Sequence, residues 1–299
     1  MLPHRRRPVL LALTALAPLT LLACADPSPD PPPVAEAEGV RNAAGSLHVM
    51  ERPFERGERI ERIVSLVPSA TEVIVALGAG DRLVGRTDFD TASALAALPS
   101  VGGGLGPSIE VLLSLEPDLV IRFGGDTDLA TPGRLDDLDI PHLAVIPERV
   151  QDVRDMIGDL GALLGRAEAA DSIVSHIDRE LARVMATAAG LPPVRTAFLL
   201  GGSPPWAAGP DTYVGELIAL AGGDNVFGDL GRPWSGVSPE SLLARRVDVV
   251  LMLEGARLDP RLAQRLTVRH VALVVQLPGP RVHEAALAIA RALHPEAFR

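Results

Sequence analysis

Two stretches of this chain repeat one pattern. The segments "PSIEVLLSLEPDLVI" (107–121) and "VSPESLLARRVDVVL" (237–251) each place a serine, one spacer residue and a glutamate before a Leu-Leu pair, and each ends in an aspartate that opens an apolar run. A serine followed by a first-turn carboxylate is typical of a helix start, and the apolar run is typical of a buried strand. The chain is therefore predicted to build one helix–strand unit twice.

Strand and helix patterns alternate from residue 59 onward. Short runs rich in β-branched and apolar residues predict strands at 62–67, 82–87, 118–123 and 142–147. A segment with helix start and stop signals predicts a helix at 69–80, and two further helices are predicted between the strands, near 108–116 and 128–138. Strand, helix and strand in this order indicate parallel strand pairing in an α/β layer.

Residues 148–190 separate this series from a second one of the same kind. Their apolar residues recur at three- and four-residue spacing without strand signals, which predicts one long or once-broken helix. The second series follows and ends in a helix at about 280–294. We therefore predict an α/β fold of two similar lobes, 59–147 and 191–299, with parallel sheets flanked by helices and joined by the helix of 148–190.

Residues 1–24 have the pattern of a secretion signal peptide. Three arginines precede the apolar stretch "PVLLALTALAPLTLLA", which is short for a membrane span. The closing "LLAC" resembles the bacterial lipobox, in which the cysteine becomes the lipidated first residue; an ordinary cleavage site beside a chance cysteine is the alternative. Cys24 is the only cysteine in the chain. Residues 25–58 begin with a proline-rich acidic stretch that suits a solvated tether, so we expect a lipoprotein anchored outside the cytoplasm, in the periplasm or its equivalent.

The charge of the chain narrows the choice of partners. Removal of residues 1–24 deletes three arginines and no acidic residue, so the formal net charge goes from −10 to −13. This charge argues against a nucleic-acid partner or a basic membrane-binding patch, because both would need a positive surface. With 47% hydrophobic residues the chain has enough apolar surface to form two domains.

Aromatic residues are scarce, yet four of them are predicted to lie in loops next to strands. In open α/β sheets ligands bind beyond the carboxyl ends of the strands, where loops of this kind gather. We predict that these side chains contact a ligand, with local packing as the alternative for any one of them. The four residues are Phe89, Phe123, Trp206 and Trp234.

No motif predicts catalysis, a cofactor or a metal site. The glycine-rich "VGGGLGPS" lacks the Lys-Ser/Thr ending of a phosphate-binding loop, the histidines show no HExxH spacing, and Ser203 stands outside a GxSxG pattern. An enzyme on this plan would need a cluster of titratable groups in its cleft. The nearest candidates are Asp88, Asp90 and Asp126, which lack a clear base or metal partner in the sequence.

Several separated motifs, in the right order, resemble the periplasmic binding proteins of ABC importers for cobalamin, ferric siderophores and haem. The resemblance covers nearly all of residues 59–295. Its motifs are "RIVSLVPSATEVIVALGAGDRLVGRTDFD" (62–90), "VGGGLGPSIEVLLSLEPDLVI" (101–121), "DTYVGELIALAGGDNVF" (211–227), "VSPESLLARRVDVVL" (237–251) and "PGPRVHEAALAIARALHP" (278–295).

This resemblance implies two lobes bridged by one rigid helix, with the ligand in the cleft between them. It also implies that a glutamate on each lobe docks against arginines of the membrane permease, and Glu110 and Glu240 stand at those motif positions. The partners would be the permease and ATPase subunits of an importer, a metal-chelate ligand and, through the N-terminal lipid, a membrane. The protein itself is expected to be a monomer.

Among the branches of this family, the cobalamin binders resemble the chain most. Their pocket is lined by aromatic side chains from the loops that here carry the four residues named above, which implies that cobalamin or a related corrinoid is the ligand. The chain departs from them at Gly104, where a cobalamin binder can place a tryptophan.

Arginines beside the aromatic positions leave other ligands open. Such side chains would suit the carboxylates of haem or the anionic groups of a ferric siderophore. They are Arg86, Arg122 and Arg232. Two further classes stay as alternatives, namely a tetrapyrrole-handling enzyme and a structural or adhesive surface lipoprotein.

Overall fold

The computed structural model describes residues 49–50, 60–125 and 128–299, with the side chains from residue 60 onward. The predicted signal peptide with Cys24 lies outside the described residues, as do Asp126 and all of the predicted tether except 49–50. Within the described part, no helix is long and apolar enough to span a membrane.

The four parallel strands of the first sheet follow the sequence prediction, whereas its antiparallel edge strand lies in the segment predicted as a tether. Its strands are β1 (Val49–Met50), β2 (Ile63–Ser65), β3 (Leu83–Gly85), β4 (Leu119–Phe123) and β5 (His142–Val145). They lie in the order β1-β5-β4-β2-β3, all parallel except for β1 at one edge. The helices between them are α1 (Pro68–Ala76), α2 (Ile109–Ser114) and α3 (Ala130–Asp137). We call this sheet and its helices the first lobe.

The second sheet and its helices form the second lobe. Its strands are β6 (Val194–Gly202), β7 (Pro205–Ala208), β8 (Gly223–Asn225), β9 (Trp234–Gly236), β10 (Val249–Leu253) and β11 (Val268–Val271). Its helices are α6 (Tyr213–Leu220), α7 (Pro239–Ala244), α8 (Pro260–Ala263) and α9 (Val282–Leu293). The parallel strands lie in the order β11-β10-β6-β8, which matches β5-β4-β2-β3 of the first lobe.

The repeated sequence pattern is a repeated structure at the level of single residues. Leu119 pairs with Ile63 in the first sheet, and Val249, which holds the same position in the second copy of the pattern, pairs with Thr196. The two helix–strand units therefore enter their sheets in the same register. This confirms the prediction of two similar α/β lobes.

One half of the second sheet departs from the prediction of parallel strands. The last residues of β6 pair antiparallel with β7, which pairs antiparallel with β9. Only Ser203 and Pro204 separate β6 from β7, and so short a connection can join only antiparallel neighbours. Trp206 and Trp234 therefore lie on strands, which corrects the prediction that they lie in loops.

The segment between the lobes is two helices rather than one continuous helix. They are α4 (Val150–Leu163) and α5 (Ala167–Ala188), and Gly165 between them has a φ of 67°, in the left-handed region that glycine tolerates. Of the predicted alternatives, the once-broken helix is the correct one. Arg154 of α4 forms an ion pair of 2.7 Å with Asp178 of α5, so the two helices lie side by side.

Helix α5 connects the lobes and shares their core. Near its start, Arg166 donates to the carbonyl of Gly78 in the first lobe, and near its end Ala188 lies beside Gly222 in the second. Its buried face joins one hydrophobic cluster that includes Ile63 of the first sheet and Phe198 of the second. Each lobe also has a smaller cluster of its own, one containing Leu112 and one containing Leu242.

Candidate functional site

Both copies of the repeated pattern begin a helix in the predicted way. The Ser108 hydroxyl accepts a hydrogen bond of 3.4 Å from the Val111 amide, and the Ser238 hydroxyl accepts one of 3.1 Å from the Ser241 amide. Pro239 occupies the first turn of α7, where its missing N–H costs nothing. The predicted helix caps are therefore confirmed.

The two glutamates of the pattern project into solvent. Glu110 and Glu240 each lie in the first turn of their helix and are exposed. Neither carboxylate forms a hydrogen bond or ion pair with another residue of the described chain. One charged side chain on each lobe is thus available for an external contact. We call α2 and α7 the docking helices, after the role proposed below.

The structure shows two residues in contact with the ends of these helices that the sequence analysis did not identify. Arg62 donates to the carbonyls of the two residues just after α2, and Arg195 donates to the carbonyls of the two residues just after α7. Each arginine is the first residue of a strand-like run, "RIVSLV" or "RTAFLL", and this shared placement is the only sequence signal. Their geometry is described further below.

Loops at the carboxyl edge of the first sheet are joined into one rim. The Asp88 amide donates to the Gly102 carbonyl at 2.9 Å, and the Gly106 amide donates to Asp128 at 3.2 Å. These bonds connect the loops that follow β3 and β4 through the glycine-rich segment. Phe89 lies on this rim with 68% of its surface exposed, which is the position expected of a ligand contact.

Gly104 brings the backbone and Phe123 close together. A Cβ atom at this position would lie 2.4 Å from the Leu66 carbonyl oxygen and 3.0 Å from Cε2 of Phe123. A tryptophan cannot stand there unless the backbone moves. Phe123, the last residue of β4, is half-buried and packs partly against the main core.

The arginines of the first lobe have different surroundings. Arg122 is 4% exposed, and its guanidinium donates to His142 Nδ1 at 3.1 Å and to the Phe123 carbonyl at 3.0 Å. Arg86 donates to the Thr87 carbonyl at 2.9 Å, while its Nε is buried without a hydrogen-bond partner among the described residues. Arg122 therefore supports the end of β4 from inside the lobe, and Arg86 keeps a donor for an additional acceptor.

The carboxylates considered for catalysis have structural contacts. Asp90 is buried and accepts hydrogen bonds from the Thr87 amide at 2.8 Å and the Thr87 hydroxyl at 2.7 Å. Asp88 accepts a bond of 2.6 Å from the Ser100 hydroxyl. Both stabilise the rim loops. Across the described residues, no group of three His, Cys, Asp or Glu side chains is placed to hold a metal ion.

The antiparallel ribbon of the second lobe presents both tryptophans on one face. Trp206 pairs with Gly236, and Ala208 pairs with Trp234, so the two indoles lie diagonally on the same side. Trp206 is 50% exposed, whereas Trp234 packs edge-on against Phe198 with ring centroids 6.2 Å apart. Arg232 is exposed shortly before Trp234.

An ion pair between a helix of the first lobe and the start of a helix of the second joins the two lobes. Glu72 belongs to α1, which follows the carboxyl end of β2, and Arg281 precedes α9, which follows β11. Their side chains meet at 2.7 Å. The segment after β11 therefore contacts α1. This helix starts at the carboxyl edge of the first sheet, which is the edge that carries the rim.

A groove of about 480 Å³ lies elsewhere, at the start of α4 and beside α6. Its polar groups are already paired: Arg154 with Asp178, and Glu216 with Arg149 at 2.8 Å and with the Val150 amide at 2.9 Å. It contains none of the predicted ligand residues. We therefore place the candidate site at the rim and the ribbon.

Known proteins show the same plan. Residues 63–271 match the family model described as periplasmic binding protein. A vitamin B12-binding protein of Yersinia pestis (strain Pestoides F) is 28% identical over 193 residues, which cover 64% of this chain and 69% of the relative.

Solved structures agree with this match. The periplasmic haem-binding protein of Roseiflexus sp. RS-1 in its apo form has a TM-score of 0.65 and 28% identity, covering 80% of this chain and 99% of that one. The periplasmic vitamin B12-binding protein of Vibrio cholerae has a TM-score of 0.67 at 24% identity, covering 78% and 96%, and shows the shared fold. The resemblance predicted from the sequence is confirmed: the chain belongs to the periplasmic binding protein family, a class of proteins that work outside the cytoplasm.

Proposed function

We propose that this protein is the substrate-binding lipoprotein of an ABC importer, and that it binds cobalamin or a related corrinoid between its lobes and delivers it to the permease. The observation that carries this proposal is the pair of exposed aromatic side chains, Phe89 on the rim of one lobe and Trp206 on the ribbon of the other. Large exposed aromatics, one on each lobe, suit a broad, partly apolar ligand. The similarity to vitamin B12-binding proteins supports the same ligand.

The remaining residues take roles around this ligand. Phe123 and Trp234 form the deeper apolar contacts, because both are half-buried. Arg86 and Arg232 donate to polar groups at the edge of the ligand. Arg122 acts indirectly by holding the carbonyl of Phe123.

Two side chains that could serve as axial ligands of haem iron are already engaged within the fold. Haem iron in proteins takes an axial ligand from His, Cys, Met or Tyr. The only tyrosine, Tyr213, is buried and its hydroxyl donates to the Val275 carbonyl, and burial raises the pKa of that hydroxyl. His142 is engaged by Arg122 and Asp136. A corrinoid requires neither side chain.

An anionic chelate is the alternative ligand, as a ferric siderophore or haem. The unpartnered Nε of Arg86 favours it, because a buried guanidinium N–H is best satisfied by a carboxylate or another oxyanion. The structural similarity to a haem-binding protein points the same way. In either case the protein performs no chemistry and releases its ligand unchanged.

The delivery step uses Glu110 and Glu240, which we propose bind arginines of the permease. One carboxylate on each lobe matches a permease built of two symmetric halves, and a carboxylate–arginine contact sets orientation as well as affinity. The protein would act as a monomer held to the membrane through a lipid on Cys24. Mass spectrometry of the mature N-terminal peptide tests the lipid.

Ligand binding can be tested by fluorescence, because the chain has only two tryptophans. We expect cyanocobalamin or cobinamide to quench the emission, and Trp206→Phe to remove more of the quenching and of the affinity than Trp234→Phe. Tighter binding of haemin or a ferric siderophore would favour the alternative. No response to any of these chelates would refute the binding function, and turnover of a bound tetrapyrrole would indicate an enzyme.

A further inference from the structure

Each docking helix is too short to hold its own direction. Helices α2 and α7 contain six residues each, about 9 Å of helix, which is below the length at which an isolated helix is stable. In each, one fully buried leucine, Leu112 or Leu242, fixes the middle of the helix to the lobe. The direction of the glutamate then depends on how the helix ends are held.

In the first lobe, an arginine holds the carboxyl-terminal end of α2. Arg62 Nε donates to the Leu115 carbonyl at 3.1 Å and to the Glu116 carbonyl at 3.0 Å, and its Nη2 donates to the Leu115 carbonyl at 2.7 Å. Glu116 has a φ of 43°, so the chain leaves the helix through a left-handed residue. The guanidinium therefore satisfies carbonyls that a helix end leaves without partners.

The second lobe repeats this arrangement with different side chains at the helix end. Arg195 Nε donates to the Arg246 carbonyl at 3.1 Å, and its Nη2 donates to the Arg245 carbonyl at 2.8 Å. Arg246 has a φ of 51°, matching Glu116. The positions 245 and 246 correspond to 115 and 116 in the repeated pattern, so the same two carbonyls are held in both lobes.

The aspartate of the repeated pattern anchors each arginine in turn. Asp118 accepts a hydrogen bond of 2.9 Å from the Arg62 amide, and Asp248 accepts one of 3.0 Å from the Arg195 amide. Each arginine backbone is thereby attached to the strand that follows the docking helix. Helix end, arginine and sheet form one connected unit in each lobe.

We propose that Arg62 and Arg195 are positioning residues for permease docking, each fixing one docking helix to its sheet so that Glu110 or Glu240 meets the permease at the required angle. This inference rests on the docking role proposed above. Arginine is suited to the task because its planar fork bonds two carbonyls at once, whereas lysine offers a single point of contact.

The test measures how the full-length protein stimulates the ATPase activity of the cognate importer in lipid nanodiscs. The half-maximal concentration is the concentration of binding protein that gives half of the maximal ATPase stimulation. Arg62→Gln and Arg195→Gln should each raise it several-fold, up to about tenfold for the loss of these hydrogen bonds. The maximal ATPase rate and the ligand affinity should stay unchanged. Arg62→Lys and Arg195→Lys should raise the half-maximal concentration less than the glutamine variants do. They replace a glutamine variant in the test if that variant folds poorly.

Arg82→Gln is the matched control. Arg82 also donates to a backbone carbonyl, that of Leu164 at 3.2 Å, but away from both docking helices. It should leave the half-maximal concentration unchanged. An equal effect of Arg82→Gln would show that loss of general stability explains the result, and would overturn the inference.

Combined variants separate positioning from a general structural role. Arg62→Gln should be non-additive with Glu110→Gln and additive with Glu240→Gln, and the reverse should hold for Arg195→Gln. Additivity in all combinations, or no effect of the arginines while the glutamates matter, overturns the inference alone. If the glutamate variants themselves have no effect, the docking proposal fails and the inference falls with it.

Discussion

The first and second lobes build their docking helices on one backbone plan but pack them differently. Position 115 is a leucine whose Cδ1 reaches Gly85, where a Cβ would lie only 2.7 Å away. The corresponding Arg245 instead donates to the Val226 carbonyl at 2.5 Å and to Asp229 at 2.6 and 2.9 Å, and lies over the Phe227 ring at 4.7 Å. An apolar contact in one lobe is thus replaced by an ion pair in the other.

This difference shows which parts of the repeated unit are constrained. Four residues of the unit recur because they act on backbone groups or on the sheet itself. They are the serine cap, the buried leucine, the positioning arginine and the aspartate that anchors this arginine. The residue at position 115 or 245 faces surroundings that differ between the lobes, so its chemistry is free to change. The comparison predicts equal roles for the recurring residues and separate roles for the others.

Reversing the charge of the docking glutamates should have the largest effect. We expect Glu110→Lys and Glu240→Lys each to raise the half-maximal concentration for importer stimulation by more than about tenfold, because the lysine would face permease arginines. The double variant should abolish transport while ligand affinity stays nearly intact. Glu168→Lys, at another exposed first-turn glutamate, is the control. Lost ligand binding would instead place these residues in the pocket, and unequal single effects would break the equivalence of the lobes.

The buried leucines should contribute equally to stability. Leu112→Ala and Leu242→Ala each remove a fully buried side chain, which costs about 2–5 kcal/mol in the free energy of unfolding. Chemical denaturation measures the loss. Leu113→Ala, at a side chain with 43% exposure, should cost about 0.5 kcal/mol or less. A small loss at only one of the two buried sites would mean that this lobe can close the cavity.

The smallest expected effect is a shift in the pKa of Asp229, which distinguishes the second lobe from the first. Hydrogen bonds from Arg245 hold the pKa of Asp229 below its ordinary value of 3.8. A carboxyl whose pKa is lowered in the folded state stabilises the protein at pH values above its ordinary pKa. This stabilisation is lost as the pH falls through the folded-state pKa. Leu115 in the first lobe gives no counterpart.

Titration of the Asp229 carboxyl by nuclear magnetic resonance measures this shift. Arg245→Gln should return the pKa toward its ordinary value, while Arg246→Gln, at the neighbouring exposed arginine, should leave it lowered. An ordinary pKa in the unmodified protein would contradict the ion pair.

The features that the sequence predicted well are local ones. Ser108 and Ser238 cap helices through amides three residues away. The four parallel strands of the first sheet were predicted because each is a compact run of apolar residues. Such signals need no knowledge of the rest of the fold.

The features that were missed depend on residues distant in sequence. Arg62 reaches carbonyls 53 and 54 positions away, and Arg195 reaches carbonyls 50 and 51 positions away. The strand β7 is short and begins with Pro205, so its pattern carries little strand signal, and it forms because β6 and β9 pair with it on either side. Trp206 and Trp234 share one face only as a result of this pairing.

The sequence by itself determined the duplication of the fold, the start of each docking helix and the exposed position of its glutamate, because caps, turns and apolar periodicity act between near neighbours. Only the tertiary structure decided how each docking helix is held at its far end, which arginine is buried and which keeps a free donor, and that the two tryptophans share one face of the ribbon. These outcomes follow from hydrogen bonds and packing between segments that meet only when the sheets assemble.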